Sequence, residues 1–398
     1  MGNILQNELK NAWKITVVKN RQGLESIMKA WEDLQKAEFS RVPGVDPYHY
    51  ICELESLGQH AEPYIICLHR EGRLEAMLVG RHQLVRMPIR LGYLTLMRTR
   101  LRQIHVFHGG VLGQKSIEVC SLLLKALRDC LNNGDADLAV FNHFHCDSVM
   151  YYVIRGETPF LSLGYSPRID GHWKMEIPKC IDDFYRKKSS KKRKTLRWTI
   201  RKLEKSHQVY MKTYSDTDSL EEGVSAAASV SSKTYQHSLG GGILDNPQTR
   251  SYLLSVARRG WLRIYVLYIN NEAAAFEWGI KYGDTFFLRT LGFDPRWRDW
   301  SVGTVLFLKV LEALCEEGNI NHLDFGFGDA EYKKIYGNKR TDTRSLFVFA
   351  NRLYPRLLNV VHQVSVDVWI AAAFVANKLG IERKIKRLWR DRLRRKLV

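Results

Sequence analysis

HLDFGFGDAEYKKIYGN, His322 to Asn338, opens as a strand and closes as a helix. Leu323, Phe325 and Phe327 alternate with other residues, the period of two that puts one face of a strand against a core. The pattern breaks at Gly328, Asp329 and Ala330, and AEYKKIYG then reads as a short helix. Working outward, RSLFVFA after it is another strand. Before it, Val302 to Glu317 has polar Lys309, Glu312 and Glu316 at helical spacing with nearly everything else apolar and is closed by Gly318 and Asn319, a helix buried on a wide face with a C-terminal cap. Further upstream LRIYVLYI, AAAFEWGI and TFFLRTLGF are separated by turns at Asn270–Asn271 and at Tyr282–Asp284. The order is three antiparallel strands, helix, strand, helix, strand.

The first half repeats this order. YIICLHREGRLEAMLVG is a hairpin turning at Glu71 and Gly72, SIEVCSLLLKALRDCLNNG an amphipathic helix, ADLAVFNHF a strand and DSVMYYVI the start of a helix. Two copies of one α/β fold are expected. Between them CIDDFYRKKSSKKRKTLRWTIRKLEKSH has no Pro or Gly and sets Leu196, Ile200 and Leu203 on one stripe among cations, a basic helix and not a loose linker. After Pro355, LLNVVHQVSVDVWIAAAFVANKLG has a longest apolar run, Val368 to Ala376, about half the roughly 20 residues a bilayer-spanning helix needs, so it should pack or lie flat. In the last stretch Ile381, Ile385, Leu388, Trp389, Leu393 and Leu397 form one apolar stripe flanked by arginines and lysines.

The 398 residues carry a formal charge of +19, unevenly placed. Lys187 to Lys205 holds ten Lys or Arg against Glu204, and Lys378 to Val398 another ten against Glu382 and Asp391. The remainder is near neutral, so two segments need an anionic partner or are solvated faces. The seven cysteines are scattered and form no CxxC pair, which suits a reducing cytoplasm. MGNILQNELK lacks the apolar centre of a signal peptide, and nothing directs export. His143, His145 and Cys146 in FNHFHCD have no fourth ligand nearby in sequence, and no metal is expected.

Four stretches in order, KKSSKKRKTLRWTIRKLEK, AAAFEWGI, LGFDPRWRDWSVGTVLFLKVLEAL and LDFGFGDAEYKKIYG, resemble the GNAT-type acyltransferases, and within them the tandem-domain subgroup associated with cellulose biosynthesis and related to the FemABX transferases. The resemblance covers most of residues 180–350 and reaches the first half through the repeat. It implies two GNAT-like domains, 1–178 and 179–352, each a mixed, largely antiparallel sheet with flanking helices, followed by an amphipathic helical tail, 353–398. It implies acyl-CoA, acetyl-CoA or longer, as co-substrate, its pyrophosphate at the start of the Val302 helix, where unpaired amides and the helix dipole favour anions. Arg296, Arg298, Ser301, Val302, Gly303 and Thr304 are the residues for that place, with one glycine where the family has several; Ser301 could equally be an ordinary N-cap. Amine acylation needs a base for the attacking ammonium and an acid for the departing thiolate. The resemblance puts Asp329 forward as base with Glu277 as second choice, Tyr332 as acid and Lys333 as an electrostatic contact. Asp329 with Glu331 could instead be the N-cap and first-turn acid of the helix they precede.

The expected function is acyl transfer in the cytoplasm to an acceptor that the sequence does not name, a small amine, a sugar amine or a polysaccharide hydroxyl, with residues 381–398 holding the inner face of an anionic membrane. Two other classes stay open. One is a FemABX-like transferase using aminoacyl-tRNA, with the basic helix on the RNA. The other is a nucleic-acid-binding protein without catalysis, supported by a pI near 9.6 and Trp198 amid cations.

Overall fold

The computed structural model describes residues 13–39, 41–91, 94–234 and 242–378. The chain forms two compact units, Met1–Asp170 with Asp342–Val398, and Gly171–Thr341. In the first unit β1 (Trp13–Val18) is followed by α1 (Arg21–Ala37), α2 (Pro47–Leu57), β2 (Ala61–Arg70), β3 (Arg73–Leu91) and β4 (Leu94–Gly113), the four strands pairing antiparallel in chain order. Glu71 and Gly72, both at positive φ, make the tight turn between β2 and β3. α3 (Ile117–Asn132) then carries the chain back so that β5 (Leu138–His145) lies parallel to β4, before α4 (Val149–Glu157) and the short β6 (Leu163–Tyr165). Val119, Leu123, Leu127 and Leu131, one stripe of α3, are buried in a core with Ile66, Leu78 and Phe141, while Trp31 and Tyr50 of α1 and α2 fill a second core with Ile65 and Met77.

The second unit runs β7 (Asp170–Glu176), α5 (Ile181–Arg186), α6 (Ser190–Ser206), β8 (Val209–Tyr214), α7 (Leu220–Ser231), α8 (Pro247–Arg258), β9 (Leu262–Ile269), β10 (Glu272–Tyr282), β11 (Thr285–Phe293), α9 (Val302–Glu317), β12 (His322–Phe327) and α10 (Glu331–Tyr336). β8 to β11 form an antiparallel meander, β12 joins β11 in parallel, and β7 pairs antiparallel with β12. Asn270 and Asn271 adopt φ of 51° and 66°, the left-handed pair that a two-residue hairpin requires. α9 buries eight apolar side chains and stops at Gly318, φ 71°. α6 buries only Leu196 and Leu203, leaving its cations in solvent.

β13 (Lys339–Phe349) leads back to the first unit, where Thr343 to Phe349 pair with β5 and Leu346 to Val348 with β6. α11 (Leu353–Lys378) follows, its Leu358 buried with Leu101, Leu138, Val140 and Phe349. The series β4, α3, β5, α4 therefore repeats β11, α9, β12, α10, the two-copy α/β fold expected. Among the described residues no helix is long and apolar enough to cross a membrane. The stripe expected over residues 381–398 lies outside the described residues.

Candidate active site

β11 and β12 are paired at only three positions, Thr285 with His322, Phe286 with Leu323 and Phe287 with Asp324. Beyond them β12 stays with β7, Gly326 opposite Trp173 and Phe327 opposite His172, so Leu288 to Phe293 of β11 have no partner on that side. The cause is local. Asp324 turns its carboxylate back to accept the Gly326 amide at 2.7 Å, and Gly326 takes φ 70°, so the strand bulges between them. This carboxylate is almost wholly buried and accepts from His172 Nε2 at 2.8 and 2.9 Å, with Lys174 Nζ at 3.5 Å. Burial alone would push the Asp324 carboxyl up, but the His172 hydrogen bond and the nearby charges hold it down to about 2. Asp324 thus acts on the backbone, a role the sequence reading missed; the Asp-Phe-Gly spacing at the end of a strand was the available signal.

Glu277 lies on β10 opposite Leu291 of β11 and Tyr265 of β9. It is 4% exposed, and no described residue hydrogen-bonds or ion-pairs its carboxyl. Burial pushes it up to about 8. Tyr332 and Tyr336 are both close enough to feel its charge; burial raises each phenol, and Glu277 adds to the effect. Tyr336 is stacked on Phe307 of α9 and hydrogen-bonded to Thr304, a contact the sequence did not suggest. The half-buried Tyr332 packs edge-on to Phe325, and no described residue hydrogen-bonds its hydroxyl.

Asp329 sits elsewhere in character. It accepts from Trp173 Nε1 at 2.9 Å and faces Arg340 Nε at 3.5 Å, and these partners hold its carboxyl below the usual range. Asp329 does not cap α10, since Ala330 occupies the cap position with no side-chain bond, whereas Glu331 is the acid of the first turn. Lys333 is buried and donates from Nζ to the Phe327 carbonyl at 2.6 Å, fastening α10 to the end of β12.

At the start of α9, Ser301 holds the N-cap position that the sequence allowed, but it is left-handed at φ 52° and its side chain makes no capping bond. The turn before it is held by buried Asp294, which accepts from the Arg296 amide and Nε, both at 3.0 Å, and from Lys233 Nζ at 2.9 Å. Arg296 also reaches Glu272 at 3.1 Å and is committed to these carboxylates, whereas exposed Arg298 has no acidic partner among the described residues. Val302 is buried, and Gly303 faces open space as far as Phe293, 3.6 Å from where a Cβ would stand. The Thr304 amide is bonded to the Ser301 carbonyl at 2.9 Å, but the Val302 and Gly303 amides have no partner among the described residues, and with Arg298 beside them this helix start suits an anion such as a diphosphate.

In the first unit β4 and β5 also pair briefly, from Gln103 with Leu138 to Val106 with Phe141. There the helix start is filled by the protein itself. Ser116 caps α3 on the Val119 amide, and Glu38 accepts from the Gly113 amide at 3.0 Å and pairs with Lys115.

Residues 190–334 match the family model described as an acetyltransferase (GNAT) domain. Comparison with curated protein sequences finds no significant match. Among solved structures, FemX is similar with a TM-score of 0.57 at 11% identity, over 83% of this chain and 98% of that one. A conserved protein of unknown function from Bacteroides thetaiotaomicron scores 0.53 at 11% identity, over 84% and 100%. The C-terminal domain of a protein assigned as a lysylphosphatidylglycerol synthetase from Agrobacterium fabrum scores 0.52 at 13% identity, over 86% and 97%. Residues 190–334 are thus similar to an acetyltransferase (GNAT) domain, and the chain has a fold like that of FemX.

Proposed function

We propose that the second unit transfers an acyl group from acyl-CoA to an amine, with the donor's thioester arm between the parted ends of β11 and β12 and its diphosphate at the start of α9. The observation that carries this reading is the buried Glu277 carboxyl, unpaired and within electrostatic reach of Tyr332, one strand away from that gap. Glu277 takes the proton from the attacking ammonium, the nitrogen bonds to the thioester carbonyl carbon, and the C–S bond breaks. The leaving thiolate takes the Tyr332 proton, the second proton of the acylated nitrogen restores the phenol, and solvent removes the proton from Glu277. Glu277 fits the base better than Asp329, because a carboxyl near 8 can be poised to accept a proton and one held low by Trp173 and Arg340 cannot. Lys333 is assigned to holding α10 in place.

A second donor class is supported by α6, where Arg197, Arg201, Lys202 and Lys205 surround an exposed Trp198. Such a surface suits a nucleic acid, and it would serve an aminoacyl-tRNA donor. The test is a melting curve and a transfer assay with a panel of amines, using acetyl-CoA, longer acyl-CoA and aminoacyl-tRNA as donors and mass spectrometry of the products. Acyl-CoA should raise the melting temperature and be consumed only with an amine present. Transfer from aminoacyl-tRNA alone would replace the donor, and no transfer from any donor would refute the reading.

A further inference from the structure

Helix α11 is half docked. Leu358, Val366 and Asn359 are buried, and Asn359 Nδ2 donates to the carbonyls of Leu161 and Leu163 at 3.1 and 3.0 Å. The Tyr354 hydroxyl is hydrogen-bonded to Thr99 at 2.7 Å. These bonds fix which face points inward. The other face is apolar and uncovered: Leu353, Leu357, Val361, Val364, Val368 and Val375 are all exposed, and Phe374 beside them is 66% exposed. Their spacing is one helical stripe. Aliphatic exposure on this scale, concentrated on one element, marks an interaction surface.

We propose that this face of α11 docks the protein on the surface of a phospholipid bilayer bearing anionic headgroups. Three observations choose that occupant. The apolar residues do not end at Val375: the sequence goes on at i+4 spacing with Ile381, Ile385, Trp389, Leu393 and Leu397. Where it continues, its flanks become cationic, ten Lys and Arg against two acids from Lys378 onward. That excess would repel a second copy laid against the same face, and it attracts lipid phosphates. The exposed stripe from Leu353 to Val375 is aliphatic, with Phe374 beside it, which suits acyl chains and offers a nucleic acid little to stack on or hydrogen-bond. The segment 381–398, expected from the sequence to meet the membrane, lies outside the described residues; the surface assigned here is on the first unit, and it stands whether or not the second unit transfers an acyl group.

The test uses the full chain and vesicles of phosphatidylcholine with and without phosphatidylglycerol. The protein should co-sediment with the anionic vesicles, and salt should weaken the binding. The variant Leu357→Asp with Val364→Asp and Val368→Asp, which keeps every cation of residues 378–398, should partition at least roughly tenfold less. A fluorophore on Val364→Cys should shift to the blue with anionic vesicles, while one on Lys125→Cys of α3 should not. Unchanged partitioning of the triple variant, or a label at 364 that stays in water on bound vesicles, overturns the proposal. So does a dimer in sedimentation velocity that the triple variant abolishes without change in vesicle binding, which would give the face to a second copy.

Discussion

Replacing Glu277 by glutamine keeps the shape of the side chain and removes its ability to ionise, so the variant isolates what a buried carboxyl does to the folded state. In the unfolded chain this group titrates near its ordinary 4.5, and in the folded protein burial holds it near 8. Between those values the unfolded chain has released the proton and the folded protein has kept it. Stability from this group is therefore fully present below pH 4.5 and is lost as pH rises toward 8, at about 1.4 kcal/mol per pH unit. From pH 5 to pH 8, with the slope tailing off at both ends, the loss comes to about 3.5 kcal/mol, a large share of a typical domain's stability. Glu277→Gln should show no such loss, so its advantage over the wild type should grow by that amount across the range while turnover collapses. Urea denaturation of both proteins at pH 5, 6, 7 and 8, followed by tryptophan fluorescence, measures the difference directly. Two stability curves that stay parallel from pH 5 to 8 would show that Glu277 ionises normally and would remove the basis for its role as the base.

Tyr332→Phe should lower turnover by about 10²- to 10⁴-fold, the usual worth of a general acid, with acyl-CoA binding unchanged by calorimetry; unchanged turnover removes Tyr332 from the mechanism. Asp324→Asn breaks a buried hydrogen-bonded pair and should cost about 3 kcal/mol in urea titrations, with loss of the acyl-CoA effect on melting. The wild-type contribution of Asp324, about 2 kcal/mol, should be present above pH 3.8 and vanish as pH falls through about 2. Arg298→Ala should weaken acyl-CoA binding roughly tenfold without changing melting of the free protein, whereas Arg296→Ala should lower the melting temperature, since Arg296 is bonded to Asp294 and Glu272. The opposite pattern would reverse their assignments.

Those features that depend on neighbours in the chain were readable in advance. The Asn270–Asn271 turn, the limits of α9 from Val302 to the Gly318 cap, and the cationic α6 with Leu196 and Leu203 inward all follow from local periodicity and turn chemistry. What could not be read was decided by atoms far apart in sequence. RSLFVFA announces a strand, but not that Leu346 would lie against Phe141, two hundred positions earlier. HLDFGF announces a strand, but not that His172 would bury Asp324 and let it draw in the Gly326 amide. In the site, the residue types were visible while their commitments were not: Asp329, Arg296 and Lys333 looked available and are engaged with Trp173, Asp294 and the Phe327 carbonyl. From the sequence Glu277 is only the second choice for the base, and its burial without any described partner is what makes it chemically distinctive.

The placement of Thr343 to Phe349 beside β5 has a consequence for biosynthesis. The second unit is one unbroken stretch of chain, Gly171 to Thr341, whereas the first is completed only by residues 343–349, which leave the ribosome after the whole of the second. Until then β5 presents an open ladder edge to every other nascent chain nearby, the usual starting point for sticking together. A stop codon just before residue 342 would spare every atom of the proposed catalytic apparatus and yet leave a polypeptide that chaperones hold or proteases remove.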